Sequence, residues 1–169
     1  MSRSLLAAHQ LAHTLFGMVT ADLTPALADH TLPGACISRI SPILAHAAFG
    51  EDLTVNQMLR EDRAILERDG WAERTGIPGP SPAMTREWLA ASFGVDQLRA
   101  YAAQVFANTE RYLADPPAAD LRKLVTSPIG TEVTGEELLT SFNLVHLMLH
   151  TGEIAALRGV QGVPGGLPF

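Results

Sequence analysis

Apolar residues recur at the spacing of an α-helix in four stretches of the chain. Residues 4 to 22 are dense in leucine and alanine and contain no proline, which predicts a first helix that ends before Pro25. A second helix is predicted to begin with Ser38 or Ser41 as its N-terminal cap and to continue to about Leu59.

The second half of the chain holds two more stretches of this kind. Residues 96 to 115 place leucine, valine and aromatic side chains on one face and polar side chains on the other, which predicts a third helix. Thr134 with Glu137 three residues later forms the capping-box pattern that starts a helix. This fourth helix is predicted to end at Arg158, with Gly159 as its terminator.

The segments between these helices are less regular. Residues 60 to 94 are predicted to form a long irregular connection, in which Thr85 caps a helix of about two turns. Residues 122 to 133 are predicted to be an extended loop with some strand character. Four helices joined by such connections predict an all-α fold, a four-helix bundle that forms a single domain over residues 1 to 169.

Composition agrees with a soluble globular protein. Of the 169 residues 47% are hydrophobic and 18% are charged, and no apolar run approaches the roughly 18 residues that a membrane span needs. The first residues carry histidine and glutamine inside an apolar stretch, which is a poor match to a signal peptide. Cys36 is the only cysteine, so a framework of intramolecular disulfides is excluded. We therefore expect a cytoplasmic protein that does not act at a membrane.

Charge argues against a nucleic-acid partner. The chain has 12 Lys and Arg against 18 Asp and Glu, for a formal net charge of −6. Its basic residues are not clustered on one face, as they would be in a protein that neutralises phosphates.

Histidines carry the strongest chemical pattern. His146 and His150 lie four residues apart in the fourth predicted helix, so both point to the same side of it. His46 shares a stripe of the second helix with Ile43 and Gly50. Three imidazoles with one open position form the ligand set of a catalytic metal. Glu153, one turn after His150, could orient that imidazole or contact metal-bound water.

A rival pair weakens any argument from spacing alone. His9 and His13 also lie four apart, in the first predicted helix. The sequence pattern places no carboxylate and no third histidine beside this pair. We therefore interpret His9 and His13 as lining a groove or a subunit contact. Arg39, two turns before His46, could receive a substrate carboxylate, although a solvated arginine at a helix start is the more common case.

Two segments resemble the DinB/YfiT-like superfamily. The stretch "ISRISPILAHAAFGEDLTVNQML" is similar to the family's second helix, with its metal-binding histidine at His46. The stretch "LVHLMLHTGEIAALRGVQGVPGGLPF" is similar to its last helix and tail, with the family's HxxxH at His146 and His150. The position of Glu153 is glutamine in many relatives.

The resemblance implies several expectations. These are a DinB-type four-helix bundle, a divalent metal ion such as zinc or nickel held by His46, His146 and His150, and a homodimer. It also implies a reaction in which a small-molecule thiol is transferred to an electrophilic substrate. A hydrolase that uses metal-bound water and a non-catalytic, dimeric metal-binding module remain alternatives.

A pattern in the first predicted helix also favours a homodimer, independently of the family resemblance. The first predicted helix has apolar residues on two sides, with Leu5 and Phe16 on one and Leu11 and Met18 on the other. A helix that packs only within its own bundle needs apolar residues on one side. One side of this helix is therefore predicted to pack against a second copy of the chain.

Overall fold

The structure, a computed structural model, describes residues 2–34, 39–79 and 84–168. In chain order its elements are α1 (Ser2–Thr20), α2 (Pro25–Ala28), α3 (Ile40–Asp52), a first π-helical segment (Leu53–Leu59), α4 (Ile65–Arg68), α5 (Trp71–Thr75), α6 (Arg86–Ala90), α7 (Val95–Ala114), α8 (Ala118–Arg122), β1 (Leu124–Thr126), β2 (Glu132–Thr134), α9 (Gly135–Glu137), a second π-helical segment (Leu138–Leu144) and α10 (Val145–Val160). The predicted all-α class is confirmed.

Four long helical stretches form the bundle. Helix α1 packs against α7 and α10, and α3 packs against the same two helices. Each stretch buries an apolar stripe at helical spacing, because residues three or four apart share one face. On α1 the buried side chains of this stripe are Leu5, Ala12, Phe16 and Val19. The packing brings α3 and α10, which carry the candidate metal ligands, directly side by side.

Two of the four stretches contain π-helical turns. Helix α3 runs without a break into Leu53–Leu59, and α9 runs into Leu138–Leu144, which leads directly into α10. The two π-helical segments contact each other. We predicted regular helices here, so this detail was wrong although the second helix does reach Leu59. π-Helical turns are rare and are frequently found at functional sites.

The buried carboxylate of Asp52 fixes the irregular connection. It accepts hydrogen bonds from the backbone N–H groups of Ile65 and Leu66, both at 2.9 Å, and from the Tyr101 hydroxyl at 2.6 Å. The connection contains α4 and α5 in addition to the helix predicted after Thr85. The side chain of Thr85 caps that helix by accepting a hydrogen bond from the Trp88 N–H. A stretch predicted to be mostly loop is thus partly helical.

Several predicted boundaries can be checked. The capping box of Thr134 and Glu137 is present, and residues 124–126 and 132–134 form an antiparallel hairpin. Helix α10 extends to Val160, so Gly159 does not terminate it. The proposed cap at Ser41 was wrong, because Ser41 lies within α3 and Arg39 is its N-cap residue, whereas the alternative cap at Ser38 lies outside the described residues.

Two surface properties complete the fold. On α1, Leu5 and Phe16 are buried whereas Leu11 and Met18 are exposed. Among the helices that the structure describes, none combines the length and the apolar character needed to cross a bilayer.

Candidate metal centre

Three histidines meet between α3 and α10. His46 lies midway along α3, and the four-residue spacing on α10 turns His146 and His150 towards it. One nitrogen from each ring lies within 4.8 Å of the other two. The ring centroids are 4.5 Å apart for His146 and His150, and 4.8 Å apart for each of these with His46. We refer to these three residues as the histidine cluster.

The cluster is suited to a divalent metal ion. Nε2 of His146 lies 2.8 Å from Nε2 of His46. Burial, and after it the neighbouring His150 and His46, lower the pKa of His146 to about 3. Its ring is therefore neutral at neutral pH, the form in which imidazole offers a lone pair to a metal. Three imidazole side chains are a donor set for zinc, nickel and related ions.

Glu153 contacts one ring of the cluster. Its Oε2 lies 2.8 Å from Nδ1 of His150, one turn earlier on α10. When the N–H at Nδ1 of His150 donates a hydrogen bond to this carboxylate, Nε2 of the same ring carries the free lone pair and can act as an acceptor. Such a hydrogen bond both selects the tautomer and fixes the direction of the ring.

Gly50 allows α3 to approach His146 closely. A Cβ atom built at this position would lie 2.7 Å from Cε1 of His146, well inside the roughly 3.5–4.0 Å at which carbon atoms pack. Gly50 lies one turn after His46 on the same helix. The glycine therefore lets the ring of His146 reach the cluster.

Replacing Gly50 with alanine is expected to displace the His146 ring and weaken zinc binding by about 10-fold or more, the order of loss seen when support for a metal ligand is removed. Competition with a chromogenic zinc chelator measures this affinity. The control is Gly17→Ala in α1, where a Cβ would meet nothing within 4 Å. Equal zinc affinity in both variants would show that Gly50 does not position His146.

A cavity opens beside the cluster, with a volume of about 440 Å³. We call it the apolar pocket. Both π-helical segments contribute to its wall, as do the β1–β2 loop and the start of α10. Its lining consists of His46, Gly50, Leu53, Thr54, Met58, Pro128, Ile129, Ser141, Phe142, Val145, His146 and Leu149. Apart from His46, Gly50 and His146, we did not identify these residues from the sequence, where nothing distinguishes them from ordinary bundle residues.

Comparison with known proteins identifies the family. The family model of the DinB superfamily matches residues 8–154. The chain belongs to the DinB superfamily. No curated protein matches it. The crystal structure of a conserved protein from Enterococcus faecalis superposes with a TM-score of 0.80 at 22% identity, over 96% of this chain and 98% of the other. At this identity the likeness shows the shared fold alone.

The second histidine pair of this DinB-superfamily chain is also buried, but in a different environment. Nδ1 of His9 lies 3.0 Å from the carbonyl oxygen of Leu5. His13 lies between two carboxylates, with Nδ1 2.7 Å from Glu110 and Nε2 3.0 Å from Glu51. The expectation that no carboxylate lies nearby was wrong, because both glutamates come from other helices.

Arg39 is engaged elsewhere in the DinB fold. Its guanidinium donates to the carbonyl oxygen of Ala90 at 2.7 Å and to the hydroxyl of Thr31 at 3.3 Å. It thus ties α3 to the end of α6. We therefore withdraw the suggestion that it receives a substrate carboxylate.

The histidine cluster stands apart from the other polar clusters of this DinB-superfamily chain. Within residues 2–34, 39–79 and 84–168 it is the one group of three or more His, Cys, Asp or Glu side chains whose ligand atoms converge closely enough for a metal. His9 and His13 belong to no such group among these residues.

Proposed function

We propose that His46, His146 and His150 bind one divalent metal ion, zinc or nickel, and that the chain uses it in catalysis. One observation carries this proposal: three imidazoles converge on a common point beside a cavity that two of them line. A purely structural metal site is normally closed by four protein ligands. Three ligands leave a coordination position for a reactant.

The reaction we propose is transfer of a low-molecular-weight thiol to an electrophile. A divalent cation held by the cluster would supply Lewis acidity, which lowers the pKa of a thiol at the open position. The thiol proton passes to solvent, the sulfur forms a bond to the electrophilic carbon, and the leaving group departs with its bonding electron pair. No oxidant or reductant is required.

The chain's own residues have distinct roles in this proposal. Glu153 holds the proton on Nδ1 of His150 and thereby keeps Nε2 of that ring available. Gly50 leaves room for the ring of His146. The apolar pocket offers space for the electrophile beside the cluster.

A panel of thiols tests the reaction. Purified protein with added zinc or nickel is expected to conjugate mycothiol, bacillithiol or glutathione to chlorodinitrobenzene or a bimane reagent. His146→Ala is expected to abolish the activity, because it removes a metal ligand. His30→Ala is the matched control, since His30 is an exposed histidine outside the cluster and the pocket.

Other outcomes would replace the proposal. Metal-dependent cleavage of ester or amide substrates without thiol transfer would identify a hydrolase that uses metal-bound water. If neither assay responds and metal removal only lowers the melting temperature, the chain is a non-catalytic metal-binding module.

We also propose that two copies associate through the outer face of α1. The exposed Leu11 and Met18 support this, since large apolar side chains gain free energy when they are covered. Sedimentation is expected to show a species of twice the 18.1 kDa chain mass. Leu11→Glu is expected to dissociate it, whereas Leu124→Glu, at an exposed leucine on β1, is not. A single-chain species for the wild type would remove this proposal.

A further inference from the structure

The apolar pocket has a shape that depends on the two π-helical segments. Leu53, Thr54 and Met58 come from the first segment, and Ser141 and Phe142 come from the second. A π-helical turn holds more residues than an α-helical turn and therefore displaces the side chains that follow it from the regular helical stripe. The cavity lies where the two displaced stripes face each other, next to His46 and His146.

The chemistry of its wall selects for an uncharged ligand. None of the described residues that line the pocket is Asp, Glu, Lys or Arg. Apart from the two histidines of the cluster, the polar side chains there are the hydroxyls of Thr54 and Ser141. In the metal-free protein, a charged group placed against this wall would lose its hydration without gaining an ionic partner, which costs far more than burying an apolar group gains.

The volume of the pocket further restricts the class of ligand that fits. An apolar protein cavity of roughly 150 Å³ accommodates one benzene ring. The apolar pocket, at about 440 Å³, has close to three times that volume. It therefore has room for about three rings, which two aromatic ring systems supply when one of them is a fused pair. Phe142 and Met58 favour aromatic rings over aliphatic chains, because ring edges and thioether sulfur both interact favourably with aromatic faces.

The mouth of the pocket is apolar as well. Ile129 is 73% exposed and Leu149 is 67% exposed, and both line the cavity. Large apolar side chains at the rim extend the apolar surface beyond the cavity itself. A ligand with two aromatic ring systems in the pocket would cover part of this surface, which makes its binding free energy more favourable.

We propose that the apolar pocket binds an uncharged ligand with two aromatic ring systems. This identifies the class of electrophile used in the proposed thiol transfer, and that identification rests on the proposed function. The reactive atom of the electrophile lies at the His46 and His146 end of the pocket. A charged thiol such as glutathione does not enter the pocket.

A pair of fluorescent probes tests this assignment. N-phenyl-1-naphthylamine is uncharged, and 8-anilino-1-naphthalenesulfonate has the same ring skeleton with one added sulfonate. Fluorescence titration of metal-free protein is expected to show at least about 10-fold tighter binding of the uncharged probe, given the cost of desolvating the sulfonate. Equal affinity for the two probes would overturn the proposal.

Matched variants locate the binding. Phe142→Ala is expected to weaken binding of the uncharged probe by about 10-fold. Ile129→Lys places a cation at the exposed rim, where folding is not affected, and is expected to shift the preference towards the sulfonate. Leu124→Lys makes the same kind of change at a leucine that is 59% exposed and does not line the pocket, so it is expected to have no effect. Probe affinities that are unchanged in both Phe142→Ala and Ile129→Lys would overturn the proposal.

The probe and transfer assays separate the two proposals. Binding of the uncharged probe without any thiol transfer would overturn the proposed function and the ligand's role as electrophile, but would support the aromatic pocket. Thiol transfer without binding of the uncharged probe would overturn the pocket assignment and leave the proposed function in place.

Discussion

Replacing His13 with leucine is expected to lower the free energy of unfolding by roughly 3–5 kcal/mol, the loss typical when one partner is removed from a buried ion pair. His13 is buried, and its two ring nitrogens contact Glu51 and Glu110. Glu51 is fully buried on α3, and the hydrogen bonds described for its carboxylate both come from His13. Leucine would leave that carboxylate without these bonds. Urea denaturation measures the effect.

A double variant distinguishes the ion pair from simple loss of packing. His13→Leu with Glu51→Leu removes both buried polar partners, and replacing a buried pair with apolar residues is often neutral. Glu110 is only partly buried and can still reach solvent. The double variant is therefore expected to regain most of the lost stability. If it is no more stable than His13→Leu alone, the buried carboxylate is not the cause.

The same contacts predict a dependence on pH. Burial by itself lowers the pKa of His13, but the hydrogen bonds and charges of Glu51 and Glu110 outweigh it, so the pKa lies above its ordinary value of 6.5. The folded state then holds the proton more tightly than the unfolded chain. This stabilisation is complete below the ordinary pKa and is lost as pH rises through the raised folded-state value.

The stability difference between wild type and His13→Leu is therefore expected to be larger at about pH 6 than at about pH 9. Taking the difference between the two proteins removes the contributions of histidines that are distant from His13. His9 is close to it, with ring centroids 6.0 Å apart, and its pKa is lowered first by burial and also by the charge of His13. A difference that increases with pH would contradict the raised pKa of His13.

The sequence predicted those features that depend on residues close together in the chain. The spacing of His146 and His150 placed them on one side of a helix, and the capping box at Thr134 set where its helical stretch begins. His46 could be paired with them because its apolar stripe had to face another helix. These inferences need only the periodicity of a helix and the rule that apolar faces pack together.

Other features depend on tertiary contacts that leave no local pattern. Glu51 and Glu110 reach His13 from α3 and α7, so nothing near His13 in sequence reveals them. The π-helical turns after Asp52 and before Val145 have no residue pattern that we could identify in the sequence. Both turns contribute residues to the lining of the apolar pocket, which was therefore not predicted.

Loss of a cluster histidine is expected to have the largest effect on metal binding. His150→Ala should weaken zinc binding by more than about 100-fold, because removing even a residue that supports a ligand costs about 10- to 100-fold. Glu153→Gln keeps a hydrogen-bond acceptor beside His150 but removes its charge. It is expected to cause a smaller loss, of about 10-fold.

The most direct test of the metal site is calorimetric titration of zinc into wild type, His150→Ala and the control His30→Ala. The account predicts one zinc per chain in wild type and in His30→Ala with equal affinity, and no binding in the same concentration range for His150→Ala. Zinc affinity that is the same in His150→Ala as in wild type would contradict the assignment of His46, His146 and His150 as the ligands.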